Sequence, residues 1–153
     1  MEWLEAKIPP PVVAVVIAVA MWGVSRFAPL LHIPSAIRLW AAIAVFVVGI
    51  GFSAAGVIAF RRARTTVNPT KPEQASSLVS SGVYRITRNP MYVGLSCALV
   101  AWAVFLGSMW ALLGPVAFVL YTGRFQIAPE ERALEKLFGT EYADYCAKVR
   151  RWL

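Results

Sequence analysis

With 153 residues, 59% of them hydrophobic, six tryptophans and a mean hydropathy of +0.63, the chain is a single domain too apolar for an ordinary soluble core. Its net charge of +7 invites nucleic acid as a partner. The basic residues instead cluster beside apolar runs and show no repeated aromatic or base-reading pattern, which excludes nucleic acid and leaves lipid headgroups.

Uncharged runs cover residues 8–25, 39–60 and 90–123. Pro9-Pro10-Pro11 stiffens entry to the first run, where proline is tolerated in an opening helical turn. Glu2 and Glu5 precede that run and no small-residue cleavage site follows it, so it reads as a retained helix and not a signal peptide. In the second run Gly49, Gly51, Ser53, Ala54, Ala55 and Gly56 form a small-residue patch that lets another helix approach closely. The same patch leaves room for an acyl or prenyl chain and permits a homodimer.

The third run is too long for one crossing. At about 1.5 Å per residue it would make a rod of roughly 50 Å, against a hydrocarbon core of about 30 Å. It therefore folds back, and Gly107-Ser108 and Gly114-Pro115 offer the turn. After Arg124 the chain reaches Pro129, and residues 130–138 carry Leu134, Leu137 and Phe138 at helical spacing with Gly139 placed as a C-cap. Thr140 caps a further helix in which Tyr142, Tyr145, Cys146 and Val149 share a face while Lys148, Arg150 and Arg151 point elsewhere.

The expected architecture is all-α and polytopic, with about four transmembrane helices and a cytoplasmic helical segment after them. Residues 1–60 hold two spans, 61–89 a cytoplasmic loop, 90–127 a helical hairpin and 128–153 amphipathic helices. Arg61, Arg62, Arg64, Lys71, Arg85 and Arg88 face only Glu73 between the second and third runs, which the positive-inside rule assigns to the cytoplasm together with both termini. His32, the single histidine, then falls with Arg26 and Arg38 on the external link. Residues 65–81 are polar and proline-interrupted, a loop long enough to fold over a site. Cys97 and Cys146 differ in depth and form no bridge, and no metal-ligand spacing is present.

Two polar clusters flank the hairpin and return to one face if it closes. Asn89-Pro90 is a helix start, since Asn is a preferred N-cap and Pro suits the first helical position. That start also directs backbone N–H groups, beside Arg88, toward any carboxylate or phosphate. Glu130 and Glu131 at minimum supply first-turn charge, worth about 1 kcal/mol or less. Brought beside Arg88, they add a cation site to an anion site, an arrangement suited to a zwitterionic ligand.

The motif Gly82-x-Tyr84-Arg85-x-x-Arg88-Asn89-Pro90-Met91-Tyr92-x-Gly94, followed by Glu130-Glu131-x-x-Leu134 and Phe138-Gly139-x-x-Tyr142-x-x-Tyr145, resembles the isoprenylcysteine carboxyl methyltransferase family and its phospholipid-methyltransferase relatives. The likeness covers about the last 90 residues, the first two spans matching only in being hydrophobic; Asn89 stands where eukaryotic members carry histidine. It implies S-adenosylmethionine bound at the cytoplasmic end of a helical bundle in the bacterial inner membrane, without a Rossmann domain. On this likeness Arg88, Asn89, Pro90, Tyr92 and Gly94 shape the pocket, Glu130 or Glu131 meets the cofactor's amino group or ribose, and Tyr84, Tyr142 and Tyr145 wall the adenine.

Methyl transfer demands alignment and dry surroundings more than strong acid or base groups. A carboxylate acceptor is already nucleophilic, and Arg85, Arg124 or Arg150 is a candidate to hold it. An amine or thiol acceptor needs a proton acceptor, for which Glu131 is the nearby candidate. The acceptor is lipophilic and enters from the bilayer. Two other classes compete: an NADPH-dependent membrane enzyme resembling sterol reductases, and a non-catalytic membrane scaffold.

Overall fold

The protein is described by a computed structural model that covers residues 7–27, 29, 31–63 and 77–153. Most of the loop expected at residues 65–81, and the acidic leader, lie outside the described residues. Among the described residues every regular element is helical.

Helix α1, Pro10–Ser25, opens on the proline run as expected, with Pro9 as its N-cap. Helix α2, Ser35–Arg62, starts four residues before the apolar run and ends two after it. Its extra first turn carries Arg38, which hydropathy alone reads as link. A 3-10 turn over Gly82–Arg85 then leads to α3, Pro90–Leu106.

The reversal lies at Gly107-Ser108. Gly107 takes the left-handed conformation (φ 66°) that only glycine adopts without strain, and its N–H closes the last turn onto the Ala103 and Val104 carbonyls. The link between α1 and α2 and the first turn of α2 close this end, with Leu31 N–H donating to the Gly107 carbonyl at 2.7 Å and Arg38 Nη1 to the Phe105 carbonyl at 3.3 Å. Gly114-Pro115, the other candidate turn, is instead inside α4, Leu113–Thr122. There Gly114 makes room for α1: a Cβ would stand 2.3 Å from Met21 Sδ.

The second arm does not end before the acidic pair, as the sequence suggests. It continues through a π turn, Gly123–Ile127, into α5, Ala128–Lys148. Pro129 has no N–H for the carbonyl four residues back, and its ring crowds that carbonyl. A widened π turn directly before it relieves both demands without stopping the helix. Glu130 and Glu131 are therefore carried on the same rod as the hairpin arm. The rod bends once, at Gly139 (φ 51°, ψ −120°), where the sequence places a cap.

The α2–α3 crossing is the most extensive contact and consumes the small-residue patch. A Cβ on Gly94 would lie 1.9 Å from Ser53 Oγ and 2.6 Å from the Gly49 carbonyl, and one on Gly49 would lie 2.8 Å from Cys97 Cβ. Backbones that close need glycine on both sides. The patch thus serves packing within the chain, while Gly51 faces open space. Val13, Ala14, Met21, Leu99, Ala103, Ala111 and Phe118 form the core between α1, α3 and α4, and Trp102 Nε1 ties α3 to the Ala18 carbonyl at 3.0 Å.

Outside this core the helices present exposed Val15, Val16, Val19, Trp40, Val47, Ile50, Val116 and Leu120. Such a continuous apolar surface is unfavourable in water and suited to lipid, so the chain is a membrane protein. Ser35–Arg62 and the joined helix Met109–Lys148 are each long and apolar enough to cross a bilayer. Helices α1 and α3 are apolar but shorter, at 16 and 17 residues.

Candidate functional site

The hairpin brings the two motifs into contact. From α3, the Tyr92 hydroxyl donates to Glu130 Oε1 at 2.6 Å, and just before α3 Arg88 Nη2 donates to Glu131 Oε1 at 2.8 Å. Consecutive residues on a helix point about 100° apart. Glu130 therefore faces α3, and Glu131 faces the corner before it.

Asn89 occupies the N-cap position of α3, but its side chain makes no cap. Its Nδ2 donates to the Arg151 carbonyl at 2.9 Å, and its backbone N–H donates instead to Thr87 Oγ1 at 3.1 Å. The reason is the segment that follows α5, whose carbonyls lie alongside the corner: Arg88 N–H donates to the Arg150 carbonyl at 3.0 Å and Thr87 Oγ1 to the Arg151 carbonyl at 3.3 Å. Arg88 also caps the end of α5, donating from Nη1 to the Val149 and Cys146 carbonyls at 3.1 and 3.3 Å, where a cation meets the negative end of the helix dipole.

Glu131 carries a second guanidinium. Arg151 donates to it from Nε at 3.1 Å and from Nη2 to its other oxygen. Sequence reading directed Arg151 away because it extended the helical wheel past Lys148. The helix ends there, and the chain leaves it through Val149 (φ −126°, ψ 131°) and bends so that Arg151 meets Glu131. Thr87, fully buried, is the other residue that reading overlooked. A threonine two residues before the N-cap Asn89 is the only local signal it carries.

Glu130 has no such neutralisation. It forms no ion pair among the described residues, and burial, opposed by the Tyr92 hydrogen bond and reinforced by the neighbouring Glu131 charge, pushes its carboxyl up to about 7. A half-buried carboxyl with no cation partner among the described residues has room for a cationic group of a ligand.

The aromatic residues line the other side. Tyr84 is buried, stands edge-on to Phe60 at 5.4 Å and accepts through its carbonyl a 2.7 Å bond from the Tyr145 hydroxyl. Tyr142 and Tyr145 pack with Val149, Leu78, Leu134 and Phe138. Burial above all raises the phenols of Tyr84, Tyr142 and Tyr145 beyond their ordinary value, so none is a base near neutrality.

Pro90 is buried beneath Gly56, and Gly94 faces Ser53 of α2. Arg85 is exposed at the end of the 3-10 turn, Arg124 lies over the Phe125 ring at 5.5 Å in the π turn, and the Arg150 side chain is exposed. The structure brings none of these three guanidiniums to Glu131; Arg88 and Arg151 hold it.

Comparison with known proteins agrees with the motifs. A 63-residue protein of Haemophilus influenzae, described as uncharacterized, is 51% identical along its whole length to 41% of this chain. A probable protein-S-isoprenylcysteine O-methyltransferase of Oryza sativa subsp. indica is 37% identical over 103 residues, covering 63% of this chain and 51% of the relative. Protein-S-isoprenylcysteine O-methyltransferase A of Arabidopsis thaliana is 32% identical over 111 residues, covering 69% and 53%. The chain thus spans about half the length of these plant relatives. No solved structure matches it. The phospholipid methyltransferase family matches residues 37–141, which takes in the α2–α3 crossing, the Arg88–Asn89 corner and the acidic pair, and the chain belongs to that methyltransferase family.

Proposed function

We propose that the chain is an integral-membrane methyltransferase that binds S-adenosylmethionine between the Tyr84–Gly94 corner, the Glu130-Glu131 pair and the tyrosines of α5, and methylates a lipophilic acceptor at the cytoplasmic face. The single observation carrying this reading is Glu130: a half-buried carboxyl, its pKa raised by desolvation, that has no cation partner among the described residues. S-Adenosylmethionine supplies a methyl group on a sulfonium, together with an ammonium, a carboxylate, a ribose and an adenine. Glu130 fits the ammonium or ribose, the Arg88 corner fits the carboxylate, and Tyr84, Tyr142 and Tyr145 offer flat apolar faces for the base.

In this reading α1, α2, α3 and the membrane part of the joined helix Met109–Lys148 are four spans with both termini cytoplasmic, α1 and α3 being short spans accommodated by local bilayer thinning. The acceptor enters laterally. A groove of about 500 Å3 between α2 and α3, lined by Phe46, Gly49, Ile50, Val57, Leu95 and Ala98, takes its tail and has Arg61 at one end. A carboxylate acceptor needs no base and is held by Arg85, Arg124 or Arg150. Glu131, already shared by two guanidiniums, is better placed to hold those than to take a proton.

The test is calorimetric titration of the purified full chain with S-adenosylmethionine. We expect Glu130→Gln and Asn89→Ala to weaken binding at least about tenfold, the worth of a charged or well-placed hydrogen bond. Unchanged affinity in both variants removes the pocket. Radiolabelled cofactor incubated with a lipid extract then identifies the acceptor, and the absence of any labelled lipid argues against the reaction.

A further inference from the structure

Two cations share one anion at the Arg88 corner. Arg88 and Arg151 both pair with Glu131, leaving the trio with one net positive charge beside the start of α3. Arg88 Nε is buried there and meets no hydrogen-bond acceptor among the described residues, so within them the trio retains an unused donor as well as an uncompensated charge. Glu130, one residue along α5, carries the opposite imbalance. The segment that delivers Arg151 is itself fastened to the corner, since the carbonyls of Val149, Arg150 and Arg151 accept bonds from Thr87, Arg88 and Asn89.

From this arrangement we infer that Arg151 is a positioning residue whose charge, delivered by the strap at residues 149–151, makes the Arg88–Glu131 pair net positive and so selects the carboxylate end of a zwitterionic ligand. Without Arg151 the pair is neutral and Glu131 has one guanidinium fewer to hold it away from the ligand's cation. With Arg151 the two ends of the site differ in sign, and the ligand has one orientation. The inference rests on the cofactor reading above and assigns a residue which that reading leaves out.

The discriminating probe is decarboxylated S-adenosylmethionine, which keeps the sulfonium, amine, ribose and base but lacks the carboxylate. Affinities of the full chain for both compounds are measured in wild type, R151A, R151Q and R151K, alongside each variant's melting temperature. Wild type is expected to prefer the carboxylated compound about tenfold, R151A and R151Q to lose most of that preference, and R151K, which keeps the charge, to retain part of it. A merely structural role for Arg151 weakens both compounds alike, and an unchanged ratio in R151A and R151Q overturns the inference while leaving the cofactor reading intact. Should R151A fail to fold, R151Q against R151K gives the same comparison. Wild type binding neither compound sinks the cofactor reading and this inference with it.

Discussion

Glu130 and Glu131 are neighbours in sequence with opposite electrostatic fates. Glu131 has two guanidiniums, whereas Glu130, half-buried, has one phenol. A carboxyl raised to about 7 binds its proton more tightly in the folded than in the unfolded chain, so the stability it contributes is present below the ordinary carboxylate range and lost as pH rises through about 7. We expect the ligand-free protein to melt at a lower temperature at pH 8 than at pH 5.5 through this group, and Glu130→Gln to flatten the difference. Cofactor affinity runs the other way, strengthening as the carboxyl ionises over the same interval. Calorimetry across that range checks both, and an unaltered pH dependence in Glu130→Gln contradicts the assignment. The doublet itself is legible in the sequence. Its division of labour is not, because Arg151 reaches Glu131 only through the chain's change from helix to extended form at Val149.

At the scale of elements, two junctions decide the geometry. The first is the α2–α3 crossing. Gly94→Ala places a methyl against Ser53 Oγ, which can move, and against the Gly49 backbone carbonyl, which cannot. Separating the helices costs roughly 1–3 kcal/mol, typical of overpacking. Thermal unfolding in detergent is expected to show that loss for Gly94→Ala and almost none for Gly51→Ala, whose added methyl meets open space; equal effects refute the crossing. The second junction is the π turn before Pro129. Sequence rules place a helix boundary at such a proline, and the widened turn removes the need for one. A helix boundary here would uncouple Glu130 from the membrane arm, whereas the continuous rod fixes it beside Tyr92.

For the whole molecule, the governing fact is that the chain reverses at Gly107, so the Arg88 corner and the acidic pair lie at one end of the bundle and the α1–α2 link at the other. Single cysteines placed at Arg85 and Trp152, in a background without Cys97 and Cys146, are expected to label from the cytoplasmic side, and one at His32 from the opposite side. Labelling of Arg85 and Trp152 from opposite sides contradicts a shared site. Much of this plan was legible in the residues alone. Long apolar runs announce helices in lipid, and a run too long to span must turn, because hydropathy is a property of local sequence; two glycine pairs, Gly107-Ser108 and Gly114-Pro115, offer the turn, and only the packing of Gly114, inside α4, against Met21 leaves it to Gly107. The tertiary structure decided what local sequence does not encode: that the small-residue patch on α2 packs against α3, that the hairpin arm and the acidic helix are one rod, and that Arg151 joins Arg88 on Glu131. Each of these depends on groups distant in sequence meeting in space, where packing and charge neutralisation outweigh the preferences of any one segment.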